Sequence, residues 1–262
     1  DTITPAINLT WYVNCSDGIE INQSPLFLIT IDGVAPTSNL VVTDNNTWTT
    51  DTTPIISFNV TDNLDSLINY SIIVDGTVVN WTSVANNTPV TYTFETPLSE
   101  AAHNIVVEAM DNGGNRTNSS VLLLYVDNTA PMVAVNNTWN NTWSKVNTSL
   151  QINFNFSDNL DSVINYSVII SGISYDTGKV ANGTEKYIWG FSELPDGQHT
   201  LVVEGLDNAT NRANSTPVMF YIDTAAPVAT ITTPLSINTT DTTPTLIFNT
   251  KVLRILHALA WG

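Results

Sequence analysis

The chain has 262 residues, 42% of them hydrophobic, and a formal charge of −17 from seven Lys+Arg against 24 Asp+Glu. That is apolar material for two sandwich-sized cores, and an acidic field repels phosphate backbones while attracting divalent cations, which excludes nucleic acid as a partner. The single cysteine, Cys15, rules out an internal disulfide, and no run of about 20 apolar residues is present to span a bilayer.

In chain order, Leu9 to Asp17 and Pro25 to Asp32 read as strands. A further strand is expected at 39 to 43. Ile56, Phe58 and Val60 then alternate with Ser57, Asn59 and Thr61, and Tyr70, Ile72 and Val74 alternate with Asn69 and Ser71. A period of two is the signature of a half-buried strand. More strands are expected at 77 to 81, 89 to 95, 103 to 110 and 119 to 126, separated by Asp-Gly, Pro and Asn-rich turns. No amphipathic helix of useful length is expected.

The pattern then repeats. Asp62-Asn63-Leu64-Asp65-Ser66 returns as Asp158-Asn159-Leu160-Asp161-Ser162, and Asp111, Asn115 and Asp127 return as Asp207, Asn211 and Asp223, each 96 residues later. A constant offset across strands and loops means one folding unit copied in tandem. Ala35-Pro36, Ala130-Pro131 and Ala226-Pro227 punctuate the copies, since proline cannot extend the preceding ladder. The expected domains are 1–34, the last strands of a truncated upstream repeat; 35–128 and 129–224, two full repeats; and 225–249, the first strands of a truncated downstream repeat. Residues 250–262 are an aberrant, basic, helix-prone tail. The fold class is all-β: tandem two-sheet sandwiches of about seven strands each with Greek-key connections, joined by proline links into a rod. The first residue is Asp rather than Met, so the chain reads as processed or cut.

Asparagine placement points to a compartment. With 32 Asn and 58 Ser+Thr, random placement gives roughly seven N-x-S/T acceptors; nineteen are present. The excess favours an extracellular, sugar-coated surface. The expected glycosylation sites are Asn45, Asn59, Asn69, Asn80, Asn86, Asn115, Asn118, Asn136, Asn140, Asn155, Asn165, Asn182, Asn208 and Asn214, with further acceptors at Asn8, Asn14, Asn22, Asn147 and Asn238.

Three sets of residues are candidate sites. His103 and His199 occupy equivalent positions; duplication argues for a corner contact rather than general-base chemistry. The acidic loops offer oxygen ligands of the kind Ca2+ takes: Asp32, Asp62, Asp65, Asp111 and Asn115 for one repeat, and Asp127, Asp158, Asp161, Asp207 and Asn211 for the next. Asp and Asn are equally the ordinary residues of turns. The tryptophans recur in Asn-Asn-Thr-Trp at 45–48, 136–139 and again at 140–143. They either cap the open edge of each core, with the indole N–H on water, or stack on sugars. No catalytic residue and no required cofactor is assigned.

Asp196-Gly197-Gln198-His199-Thr200 followed by Val203-Glu204 and Asp207 to Asn211, with the Ala-Pro links, resembles the tandem immunoglobulin-like repeats of archaeal and bacterial surface proteins of S-layer or adhesin type. The first copy departs from it, with Glu100-Ala101-Ala102-His103-Asn104. Trp11 to Asp17 is similar to a strand of methanogen surface repeats. The resemblance covers about residues 9 to 249 and implies a non-catalytic structural or adhesive spacer at the cell surface. Its partners would be neighbouring repeats, surface glycans or other surface proteins, with Ca2+ as an optional ion. Two alternatives stay open: carbohydrate-binding modules of a secreted polysaccharide-active enzyme, and a subunit of an extracellular filament.

Overall fold

The computed structural model describes residues 7–41, 45–136, 139–146, 150–190, 193–233, 240 and 247–251. Strands are the only regular elements among them. The chain divides into two units, Asp1–Asn128 and Thr129–Gly262.

The first unit begins with four short strands. β1 (Ile7–Trp11) pairs antiparallel with β4 (Phe27–Ile31), and β2 (Asn14–Ser16) with β3 (Ile21–Gln23). A sandwich follows: β5 (Thr37–Leu40), β6 (Thr47–Thr49), β7 (Ile55–Thr61), β8 (Leu67–Val74), β9 (Thr77–Ala85), β10 (Val90–Thr93), β11 (Ala101–Met110), β12 (Arg116–Asn118) and β13 (Leu122–Val126). One sheet has the order β10-β7-β5 and the other β6-β13-β11-β8-β9, with β12 beside β11. All pairs are antiparallel except β6 with β13.

The second unit repeats this with β14 (Met132–Val135), β15 (Thr142–Ser144), β16 (Gln151–Ser157), β17 (Val163–Ile170), β18 (Ile173–Ala181), β19 (Glu185–Trp189), β20 (Gly197–Leu206), β21 (Arg212–Asn214) and β22 (Val218–Ile222). Its sheets run β14-β16-β19 and β15-β22-β20-β17-β18, with β21 beside β20. β23 (Val228–Thr233) and β24 (Ile247–Lys251) close the description as an antiparallel pair.

Alternation makes each sheet two-faced. Ile56, Phe58 and Val60 of β7 and Ile68, Tyr70, Ile72 and Val74 of β8 are buried, as are their counterparts on β16 and β17. The cores are separate clusters, one per unit. The β8–β9 hairpin turns on Asp75-Gly76 (φ 49° and 81°) and the β17–β18 hairpin on Ser171-Gly172 (φ 50° and 82°). Two successive positive φ values match the right-handed twist of the flanking strands, and glycine takes the second without steric cost.

Nine strands per sandwich replace the seven expected. The additions, β6 and β12 with their copies β15 and β21, are three residues each, too short for a period to register. The expected strand at 119–126 starts later. Buried Ser119 instead accepts the Val107 amide on Oγ (3.0 Å) and donates its own N–H to Val107 O (2.9 Å), and Ser215 does the same with Val203. The pattern expected to fail after Asn249 continues as strand to Lys251; the rest of the expected tail, 252–262, lies outside the described residues.

Candidate functional site

The loop after β7 folds on its own aspartate. Asp62 Oδ1 accepts the amides of Leu64 and Asp65, both at 2.8 Å, the local turn that short acidic side chains favour. Asn86, just past β9, clamps it: Nδ2 donates to Asp62 O and Asp65 O, each at 2.7 Å, and Oδ1 accepts the Asp62 amide at 3.1 Å. The Asp65 carboxylate then reaches the β11–β12 loop, accepting Asn112 N at 2.8 Å and Asn112 Nδ2 at 2.6 Å. In that loop Asp111, 2% exposed, accepts Asn115 N at 2.7 Å and Asn115 Nδ2 at 2.8 Å.

The segment leading into β5 joins them. Asn115 Nδ2 donates to Asp32 O at 3.2 Å, and carboxylate oxygens of Asp32, Asp65 and Asp111 lie within 4.8 Å of one another. Oδ2 of Asp32 and Oδ2 of Asp62 are buried with no hydrogen-bond partner among the described residues. Three of the five expected residues, Asp32, Asp65 and Asp111, thus meet as carboxylates at one end of the sandwich, while Asp62 closes its own loop turn. Asn115 enters as a donor that braces Asp111.

The second unit rebuilds the cluster. Asp158 Oδ1 accepts Leu160 N (2.9 Å) and Asp161 N (2.7 Å), Asn182 Nδ2 donates to Asp158 O (2.8 Å) and Asp161 O (2.7 Å), and Asp161 accepts from Asn208. Asp207 accepts Asn211 N at 2.7 Å and Asn211 Nδ2 at 2.8 Å. Oxygens of Asp158, Asp161 and Asp207 also lie within 4.8 Å, and Asp158 Oδ2 is a further buried oxygen without a partner among the described residues. Asp127, the sequence counterpart of Asp32, closes the first unit, its amide donating to Thr49 O at 2.9 Å.

The histidines stand at hairpin corners. His103 Nδ1 faces Asp75 Oδ2 at 2.7 Å and Nε2 faces Ser99 O at 2.9 Å; His199 Nδ1 faces Ser171 Oγ at 3.2 Å and Nε2 faces Pro195 O at 2.8 Å. Both rings are buried. Burial pushes the Asp75 carboxyl up, but the Asn104 amide and the hydrogen bond and charge of His103 outweigh it and hold the group below its ordinary 3.8.

The tryptophans divide differently from the motif. Trp48 and Trp143 are the equivalent pair: each stacks on a tyrosine of the neighbouring strand, Trp48 on Tyr125 (4.4 Å, 10°) and Trp143 on Tyr221 (4.6 Å, 18°). They lie on the outer sheet face and do not cap the core. Trp139 does cap it, but its Nε1 donates to Gln151 O at 3.2 Å instead of to water.

The sequons fall into classes that the sequence could not separate. Asn59, Asn69, Asn80, Asn155 and Asn165 sit within the paired strands β7, β8, β9, β16 and β17. Asn118 and Asn214 end β12 and β21 and are exposed. Asn136 donates to Glu185 Oε1 at 3.2 Å, and Asn208 to Asp161. Asn86, Asn115 and Asn182 spend both Nδ2 hydrogens inside the acidic loops. A sugar on any of these three would have to displace its clamp. Asn45 and Asn140 are exposed in turns.

Comparison with known proteins places the chain. Among solved structures, it is similar to the fibronectin(III)-like modules of CbhA from Clostridium thermocellum, at 17% identity and TM-score 0.37 over 71% of this chain and 94% of that one. The BSP domain of a biofilm-associated protein matches at 16% identity and TM-score 0.26, over 73% of this chain and 30% of that one. The FN1–FN3 domains of chicken CNTN1 match at 14% identity and TM-score 0.34, over 83% and 76%. No curated protein matches significantly. The bacterial Ig-like domain family matches residues 24–128, and its group 3 matches residues 86–185 and 183–249. Those segments cover more than half of the sequence and both sandwiches, and the chain belongs to the bacterial Ig-like domain family.

Proposed function

We propose that this chain is a run of non-catalytic repeats from a larger glycosylated protein displayed outside the cell, where the units space and present surfaces for adhesion. The observation that carries the reading is duplication. The acidic loops, the buried histidine and the outer Trp–Tyr stack of one unit recur at the same register in the other, whereas catalytic constellations are singular within a scaffold. An antibody raised against residues 35–223 should label intact, unpermeabilised source cells. Labelling that requires permeabilisation overturns the proposal.

Within each unit the acidic loops are proposed to hold Ca2+. Three carboxylates whose oxygens lie within 4.8 Å repel by roughly 3 kcal/mol per pair at an effective dielectric of about 20, and a cation relieves that cost. The buried Oδ2 atoms of Asp32 and Asp62 are acceptors for which a hard cation is a suitable partner. Calcium at about a hundred times its Kd should add roughly 2.7 kcal/mol, raising Tm by about 10 °C, and Asp65→Asn should abolish the first unit's share. Identical melting in calcium and in chelator leaves the aspartates as turn formers.

A second reading, carbohydrate binding, is favoured by the solvent-facing indoles of Trp81 and Trp189, 64% and 67% exposed. Quenching of their fluorescence across a glycan panel supports it, and no response from any glycan removes it.

A further inference from the structure

We infer that Asn45 and Asn140 are sugar acceptors, one turn site in each folded unit, with Nδ2 as the nucleophile and a glycosyl pyrophosphate as the donor. The inference rests on the display reading and ranks these two turn sites above the sequons whose Nδ2 is held in the acidic loops. In the transfer, Nδ2 forms a bond to the anomeric carbon, the bond from that carbon to the pyrophosphate oxygen breaks, the nucleotide or lipid diphosphate leaves, and one Nδ2 proton passes to a base of the transferase. The acceptor therefore needs an exposed Nδ2 with uncommitted hydrogens, on backbone that can enter an enzyme's cleft.

Both sites meet these conditions in the same way. Asn45 Oδ1 accepts the Leu123 amide at 2.8 Å, and the next residue, Asn46 (φ 64°), donates its N–H to Leu123 O at 2.8 Å. Asn140 Oδ1 accepts the Met219 amide at 3.3 Å, and Asn141 (φ 59°) donates to Met219 O at 2.7 Å. With Oδ1 held by the adjacent strand, Nδ2 turns outward; it donates to no described residue at either site, and both asparagines are exposed. The hydroxyl residue two positions on, Thr47 or Thr142, begins a three-residue strand at the end of its sheet, so local opening breaks few bonds.

The clamp asparagines meet neither condition. Asn86 and Asn182 each lose two backbone contacts before Nδ2 can react, and the strand asparagines require a ladder to part.

The test is a time course in which the folded, full-length chain is incubated with a soluble asparagine N-glycosyltransferase and UDP-glucose, with each sequon quantified by peptide mass spectrometry. Synthetic peptides carrying the sequons of Asn45, Asn86, Asn140 and Asn182 are run in parallel. Asn45 and Asn140 should react about tenfold or more faster than Asn86 and Asn182 in the folded chain, while the four peptides differ by less than about threefold. Equal rates in the folded chain, or inert Asn45 and Asn140 whose peptides react, overturn the inference. Failure of the display reading is a different result, absence from intact cell surfaces, and it leaves this rate ratio unchanged.

Discussion

The two units share strand order and register, yet they fill one place in the core with opposite choices. At the corresponding positions the first has Val60 on β7 and Ala109 on β11, both fully buried; the second, 96 residues on, has Phe156 on β16 and Gly205 on β20. A Cβ added at Gly205 would stand 2.4 Å from Phe156 Cε1, so the larger ring is possible only because its neighbour has no side chain. Summed volume is kept while its distribution changes, as close-packed interiors demand. A second contrast lies at the sandwich edge. The first unit has a cleft of about 460 Å3 lined by Ile56, Leu122, Leu124 and their neighbours. At the equivalent place in the second, Trp139 leaves only about 10 Å3. Duplication thus preserved the ladders and let side chains drift in compensating sets.

That contrast can be broken at Gly205. Gly205→Ala should destabilise the second unit by about 3 kcal/mol, and adding Phe156→Val should recover roughly 2 kcal/mol as a coupling energy in a double-mutant cycle. Urea unfolding followed per unit measures both, and additive effects would show that the ring and the glycine are independent. Trp139→Ala should cost the second unit about 2 kcal/mol, less than a fully buried aromatic, and should create a binding site for an apolar dye like the first unit's cleft. An unchanged dye signal would mean that the indole does not fill the edge.

The smallest effect belongs to the hairpin corner. Asp75→Ser copies the second unit's Ser171 into the first and should cost under about 1 kcal/mol, because the carboxylate is 46% exposed. Its pH dependence is the sharper readout. The folded pKa lies below 3.8, so the stabilisation is fully present above that value and disappears as pH falls through the lowered folded value. The difference between wild type and Asp75→Ser should therefore hold above pH 3.8 and shrink as pH is taken below it, through the lowered folded pKa. A constant difference would assign the effect to the turn alone.

Much of the fold was legible because burial imposes a period. Ile56-Phe58-Val60 and Ile152-Phe154-Phe156 announce a two-sided sheet, and the Asp-Gly pair at 75 and 76 announces its hairpin. The acidic loops were legible for the same reason: residues that make turns stand at a fixed offset, and the sandwich topology brings the β7–β8 and β11–β12 loops to one end. What stayed hidden depends on single contacts. Trp139 and Trp48 share an Asn-Asn-Thr-Trp motif, yet one lies on the core and the other on the outer face, because the register of β15 with β22 pairs Trp143, not Trp139, with the stacking tyrosine. Asn86 and Asn45 both head sequons; only the hydrogen bonds of the folded loops distinguish a clamp from an exposed amide.

The pairing of β6 with β13 also bears on mechanical load. These strands lie near opposite ends of the sandwich sequence and run parallel, in register from Leu124↔Thr47 to Val126↔Thr49. Tension applied through the two ends of such a domain slides one strand along the other, so its cross-strand bonds are strained together in shear; an antiparallel pair gripped at one end would peel bond by bond. A segment of three residues, scarcely visible in the sequence, therefore sets how firmly each sandwich resists being pulled open.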